Sequence, residues 1–145
     1  MAAFRAGDLR LTCDTACSGA WGSHRKEAKG YYDARLWNDL VGVISKVGMR
    51  VDSGYFYLGR AAEAQRHLDA ARVYYRLAAT NSFKCAGLLN NCDGINVPRE
   101  AAAALARLAA IPMEPPVRTP SAVRPKEEAL IRSDSPPKVE PLVRP

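Results

Sequence analysis

The chain has 145 residues, of which 48% are hydrophobic and 25% charged, with a formal net charge of +6 and a pI near 9.4. Its basic residues never run longer than two and alternate with Asp and Glu, which favours a solvated helix surface over a nucleic-acid-binding patch. No apolar stretch approaches the ~18 residues of a transmembrane helix, and residues 1–10 are too short and too polar for a signal peptide.

Proline divides the chain into two parts. Nine of the ten prolines lie from Pro112 onward, whereas every aromatic residue, glycine and cysteine precedes it. A segment without aromatic residues or glycine cannot build a core and should be extended, partly as polyproline II. We therefore predict an all-α domain over 1–111 and a proline-rich, extended or disordered tail over 112–145.

The first half of the domain should contain two helices. After an irregular lead-in over 1–11, Ser23 is a good N-cap for a helix that runs to about Asp33. A second helix is predicted over 37–47, and Gly48 is its plausible C-cap. The periodicity predicts that this second helix buries Trp37, Leu40, Val41, Ile44 and Val47.

Residues 52–80 form the clearest pattern, two short antiparallel helices joined near 67–69, with Asp69 as N-cap of the second. Apolar and small residues recur at three- and four-residue steps on each helix. Gly59 is expected where the two helices approach closely. The predicted faces are Tyr55, Leu58, Ala62 and Gln65 on the first helix, and Leu68, Ala71, Tyr75 and Ala78 on the second.

This hairpin resembles a tetratricopeptide (TPR) repeat, a helix–turn–helix unit of about 34 residues. The resemblance covers about a fifth of the chain and departs from the family at Ala62, where an aromatic is usual, and near Phe83, where the terminal proline is missing. It implies a short stack of antiparallel hairpins, with 21–48 as a degenerate earlier repeat. An ordinary helical hairpin remains the alternative. The matching positions are Tyr55, Leu58, Gly59, Ala71, Tyr75 and Ala78.

Beyond Thr80 the helical period stops, and turn residues follow up to Pro98. Pro98 fits the first position of a helix, and 99–110 has the highest helix propensity in the chain. We expect this helix to cap the open end of the stack. Its predicted apolar face is Ala102, Leu105, Leu108 and Ala109.

The four cysteines form two local pairs, Cys13 with Cys17 and Cys85 with Cys92. An even number of cysteines in a small domain favours disulfides and an oxidising compartment. Reduced thiols and a zinc site are the alternatives, although the second spacing is too wide for typical zinc ligands. The sequence does not decide whether the bridges are local or join the two pairs.

The tail carries a duplicated pattern, P-K-x-E-x-L-[I/V]-R, at 125–132 and 137–144. It could be a solvated linker of biased composition. It could also be a linear motif whose apolar anchors add to a partner's sheet edge or lie in a groove. The anchors would be Leu130, Ile131, Leu142 and Val143.

No constellation of groups indicates catalysis. His24 and His67 stand in no ligand or catalytic motif, and no glycine-rich phosphate loop is present. We therefore predict a non-enzymatic protein with no cofactor and no metal.

The TPR resemblance implies binding to other proteins, in a larger complex or by self-assembly, through a concave surface formed by the first helix of each pair. Together with the paired cysteines it is also similar to small bacterial cell-envelope proteins, which implies a periplasmic or secreted scaffold. The alternative is a cytosolic basic helical protein that binds nucleic acid or another anion. The groove residues predicted for protein binding are Tyr31, Tyr55, Phe56, Tyr57 and Arg60.

Overall fold

The computed structural model describes residues 1–87 and 91–111. Within these residues the secondary structure is helical, with a single isolated bridge between Cys13 and Met49 and no strand, so the all-α prediction is confirmed. Short 3-10 turns lie at Thr15–Cys17 and Cys85–Gly87. The α-helices are α1 Ala2–Ala6, α2 Ser18–Asp33, α3 Trp37–Val47, α4 Asp52–Ala64, α5 Leu68–Thr80 and α6 Val97–Ala109.

From α2 onward, each helix packs against the next one in the chain. The helix α3 has the predicted bounds and buries four of the five predicted side chains, while Trp37 stays half-buried. Gly48 ends α3 in the left-handed region at φ 66°, where its N–H donates to the Ile44 carbonyl at 2.9 Å. Residues with a side chain rarely adopt this backbone conformation, which is why a glycine at this position predicts the end of the helix.

The hairpin of α4 and α5 is present, but its turn lies earlier than predicted. Arg66 takes a positive φ of 66°, and the backbone N–H of His67 donates to the Ala62 carbonyl at 2.9 Å. Helix α5 therefore begins at Leu68, and Asp69 lies in its first turn instead of capping it. Gly59 does mark the close approach of the two helices, because it lies directly against the ring of Tyr75.

Helix α4 is the central element, in contact with α1, α3, α5 and α6. Because neighbours cover it on several sides, every residue from Asp52 to Gly59 is buried. The predicted buried face of α4 omitted Phe56 and Tyr57, which were assigned to the binding groove, and this is wrong. They are only 3% and 1% exposed.

Helix α2 begins six residues earlier than predicted, with Cys17 in place of Ser23 as the N-cap and Ser18 as the first helical residue. The hydroxyl of Ser23 donates to the Gly19 carbonyl at 3.1 Å, so Ser23 is a mid-helix residue and not an N-cap. The Cys13–Cys17 bridge closes the segment that leads into this helix, with a Cα–Cα distance of 5.9 Å.

The N-terminal segment is part of the core, which corrects the predicted irregular lead-in. The ring of Phe4 on α1 stacks on Tyr74, with centroids 5.8 Å apart, and Phe4 is 1% exposed. The Tyr74 hydroxyl donates to the Phe4 carbonyl at 2.9 Å and accepts from the Leu9 N–H at 3.3 Å. One turn of helix is too short to be recognised from periodicity, and these long-range contacts hold it in place.

Two buried tyrosines allow a matched test. Tyr74→Phe should lower the free energy of unfolding by about 1 kcal/mol, since it removes hydrogen bonds to the N-terminal segment. Tyr57→Phe should instead raise it by about 1 kcal/mol, because the buried Tyr57 hydroxyl has no hydrogen-bond partner among the described residues. Urea denaturation of both variants measures the difference, and an equal loss of stability in both would contradict the assignment.

Both local cysteine pairs are bonded, so the prediction of disulfides is confirmed and bridging between the pairs is excluded. The Cys85–Cys92 bridge has a Cα–Cα distance of 5.1 Å. The Cys85 backbone N–H donates to the buried carboxylate of Asp52 at 2.7 Å, which attaches this loop to the first turn of α4. Nearby, Asp93 forms an ion pair with Arg25 of α2.

Helix α6 packs against α5 and α4. Its buried residues are Val97, Ala101, Ala104 and Leu108. Of the predicted apolar face, Leu108 is buried and Leu105 half-buried, whereas Ala102 and Ala109 are exposed. The run of alanines explains this error. Because neighbouring alanines have the same hydropathy, the sequence does not show which of them lie on the buried face of the helix.

Arg72 belongs to the packed interior, although its charge suggested the helix surface. It is 9% exposed, and its Nη2 donates at 2.8 Å to both the Leu108 and the Ile111 carbonyl. Its Nη1 donates to Asp69 at 2.6 Å. Arg72 thus adds to the Ile111 N–H bond that the Leu108 carbonyl accepts at the end of α6, and it satisfies the carbonyl of Ile111 just beyond the helix.

None of the helices within 1–87 and 91–111 combines the length and the apolar character required to cross a membrane.

Candidate functional site: the Arg60 recess

An open recess lies where the turn between α2 and α3 meets the end of α4. Its volume is about 550 Å³. We call it the Arg60 recess, and it is lined by Tyr32, Asp33, Arg35, Trp37, Arg60 and Ala64.

The tight turn between α2 and α3 builds one wall of the recess. Arg35 adopts a positive φ of 58°, and its backbone N–H donates to the Tyr32 carbonyl at 3.2 Å. The Leu36 N–H donates to the Tyr31 carbonyl at 2.9 Å. This local geometry places the last residues of α2 next to Trp37, the first residue of α3.

Aromatic rings form the apolar part of the wall. Tyr32 and Trp37 meet edge to face, with centroids 6.2 Å apart and an interplanar angle of 76°. Tyr32 also contacts the buried ring of Tyr57, with centroids 5.3 Å apart. Because this packing restrains Tyr32, the half-buried rings of Tyr32 and Trp37 form a preorganised contact surface.

Beside the recess, Glu63 connects three helices. Its carboxylate accepts from the Tyr75 hydroxyl at 2.6 Å and from Arg107 of α6 at 2.7 and 2.9 Å. Burial raises the pKa of Glu63, but the hydrogen bonds from Tyr75 and Arg107 outweigh it, so the net shift is downward. Glu63 is therefore an ionised, well-satisfied partner of Arg107.

Arg60 interacts with the Glu63 carboxylate more weakly than Arg107 does. Its Nη1 lies 3.6 Å from Glu63 Oε2, which is beyond the usual hydrogen-bond distance. Its Nε is buried and is not accessible from the recess. The terminal nitrogens of the partly exposed Arg60 side chain retain donor capacity there, which a guanidinium can use for a carboxylate or a phosphate.

The predicted binding residues separate into different environments. Arg60 lines the recess, whereas Tyr55, Phe56 and Tyr57 are core residues. Tyr31 lies in another depression between α2 and α3, where its hydroxyl donates to Glu27 at 3.1 Å. The tail residues Leu130, Ile131, Leu142 and Val143 lie outside the described residues.

Sequence reasoning missed Tyr32, Arg35 and Trp37 as site residues. Trp37 matched the apolar period and was assigned to helix packing. The available signal was the pair of aromatic residues flanking a short turn between two helices.

A second cavity, of about 510 Å³, adjoins the Cys85–Cys92 bridge. Its charged members are Asp52 and Lys84. Burial raises the pKa of Asp52, while the N–H groups of Cys85 and Ser53 that donate to it oppose this shift. Since Asp52 already holds the loop on α4, we assign it a structural role.

Among the residues that the structure describes, no cluster of His, Cys, Asp and Glu has the arrangement of a metal site. The chemistry available in the Arg60 recess is that of binding, through guanidinium donors and aromatic faces. The prediction that the protein is not an enzyme stays a prediction.

Comparison with known proteins gives no relative: no protein-family model, no curated protein and no solved structure matches the chain.

Proposed function

We propose that the protein is a non-enzymatic protein-interaction module that acts as a scaffold in a bacterial cell-envelope assembly. The observation that carries this proposal is the Arg60 recess, in which restrained aromatic rings stand beside arginine donor groups. Tryptophan, tyrosine and arginine are the residues most enriched at the energetic centres of protein interfaces.

The helix packing supports the same proposal. Helices α2 to α5 pack in chain order as two consecutive pairs, each joined by a short turn, and α6 packs on the second pair. This arrangement is compatible with a short TPR-like stack in which α6 is the capping helix. Such stacks present the first helix of each pair to partners, and α2 and α4 both contribute to the recess.

The two disulfides support the proposed periplasmic or secreted location, because their geometry is compatible with an oxidising compartment. In protein isolated from its native host, non-reducing peptide mass spectrometry should find Cys13 bonded to Cys17 and Cys85 bonded to Cys92. Four reduced thiols in that material would contradict the location.

The binding function can be tested by site-specific photo-crosslinking in the native host. Ala64 lines the recess and is exposed, so Ala64→p-benzoylphenylalanine should yield a discrete crosslinked protein. Ala103 is an exposed alanine on α6 and provides the matched control position. We expect crosslinking from position 64 and not from position 103, and loss of the product when Trp37→Ala is added. Equal labelling from both positions, or none from position 64, would reject the recess as the binding site.

A further inference from the structure

We propose that the Arg60 recess recognises a polypeptide segment that presents one carboxylate side chain followed by an aliphatic side chain. This inference rests on the proposed binding function and adds the chemistry of the partner.

The first observation is that Arg60 is not within hydrogen-bond distance of Glu63, its nearest carboxylate. Glu63 cannot fully serve Arg60, because Tyr75 and both donor nitrogens of Arg107 already occupy its two oxygens. The Arg60 Nη1 lies 3.6 Å from Glu63 Oε2, beyond the usual hydrogen-bond distance, and the Arg60 side chain remains 37% exposed. A carboxylate entering the recess would supply an acceptor for the terminal nitrogens of Arg60. Hydrogen bonds between two charged groups are stronger than those between neutral groups.

The formal charge of the residues that line the recess indicates the charge of the ligand that it would bind. Arg35 and Arg60 contribute +2 and Asp33 contributes −1, which leaves a formal charge of +1 on the lining residues. A single carboxylate matches this value. The Asp33 carboxylate is itself paired with Lys29 at 2.6 Å. Two arginines line the recess, whereas nucleic-acid binding normally requires several phosphate contacts.

The aromatic rings of the recess favour an aliphatic side chain in the bound peptide. Trp37 and Tyr32 are half-buried and held edge to face, so they offer apolar surface at little further cost in side-chain entropy. These rings share one recess with Arg60, and adjacent residues of a peptide can therefore contact both.

The test uses two blocked dipeptides, N-acetyl-Glu-Leu-amide and N-acetyl-Gln-Leu-amide, which differ only in the side-chain charge. Each is titrated into the full-length ¹⁵N-labelled protein, and the indole N–H signals are followed by NMR. The chain has two tryptophans, Trp37 in the recess and Trp21 in the core at 2% exposure, so Trp21 is an internal control. We expect the Glu peptide to shift the Trp37 signal saturably and to leave the Trp21 signal in place. The Gln peptide should bind at least about tenfold more weakly.

Variants then locate the acceptor site. Arg60→Ala should weaken binding of the Glu peptide about tenfold, and Arg35→Ala, at an exposed turn position, should weaken it without disturbing the core. Arg76→Ala removes an exposed arginine of α5 that does not line the recess, and it should leave the affinity unchanged.

Equal affinity for the Glu and Gln peptides would overturn the inference. So would a Trp37 shift produced more strongly by inorganic phosphate or single-stranded DNA than by the Glu peptide. The crosslinking at Ala64 separates the two proposals. Crosslinking together with equal peptide affinities refutes the carboxylate preference alone, whereas specific Glu-peptide binding without crosslinking refutes the scaffold function alone.

Discussion

Reduction of both disulfides is expected to lower the melting temperature by about 20 °C or more. Each bridge closes a short loop, with sequence separations of 4 and 7, and should contribute about 2–3 kcal/mol by restricting the unfolded chain. In a domain of this size, 1 kcal/mol corresponds to roughly 4–8 °C. Circular dichroism melting with and without a phosphine reductant measures the effect.

The two bridges should not contribute equally. Cys85 and Cys92 are buried, and the Cys85 N–H donates to Asp52, so Cys85→Ala with Cys92→Ala also loses core packing and loosens the loop on α4. Cys13 and Cys17 are half-buried. We expect a loss of about 3–4 kcal/mol for the Cys85/Cys92 variant and about 2 kcal/mol for the Cys13/Cys17 variant. An unchanged melting temperature, in protein shown by mass spectrometry to carry four thiols, would refute the stabilising role.

Gly59→Ala should destabilise the protein by roughly 2 kcal/mol. A Cβ at Gly59 would lie 2.7 Å from two carbon atoms of the Tyr75 ring. The ring has no room to move, because Tyr75 is fully buried and its hydroxyl donates to Glu63 at 2.6 Å. Overpacking of this kind costs typically 1–3 kcal/mol, which exceeds the gain in helix propensity.

Gly30 provides the matched control for this substitution. It lies within α2, is exposed, and has no neighbouring atom within 4 Å of the position of a Cβ. Gly30→Ala should therefore raise the free energy of unfolding by up to ~1 kcal/mol through helix propensity alone. Urea denaturation should show opposite signs for the two variants. A loss of stability in both, or a gain in both, would contradict the close packing of Gly59 on Tyr75.

The parts of the fold that could be predicted are those set by local sequence. Helix α3 was predicted with its observed bounds, because its apolar residues follow a clear period and Gly48 ends it in a conformation that favours glycine. The even number of cysteines favoured disulfides, whereas their pairing was left open. The segment of α4 and α5 was recognised as a helical hairpin, and Gly59 was correctly placed at the point of closest approach.

The candidate site was predictable only in part, since Arg60 was named as a binding residue and Tyr32, Arg35 and Trp37 were not. Periodicity assigns a half-buried aromatic such as Trp37 to the core, because it cannot distinguish a side chain that is fully covered from one that borders a recess. Periodicity also left Phe56 and Tyr57 out of the buried face of α4, although both side chains lie in the core. A single-face pattern assumes that one side of a helix is covered, and α4 is covered on several.

By itself, the sequence determined the helical class and the positions of α3 to α6 within a few residues, and it left the pairing of the cysteines open. Only the tertiary structure decided that α1 packs on Tyr74, that Arg72 satisfies the end of α6, and that Arg60 lies beside Tyr32 and Trp37. The physical reason is the range of the interactions. Helix periods, glycine turns and short loops depend on neighbours within a few residues, whereas burial and hydrogen-bond partners depend on groups that lie far apart in the chain.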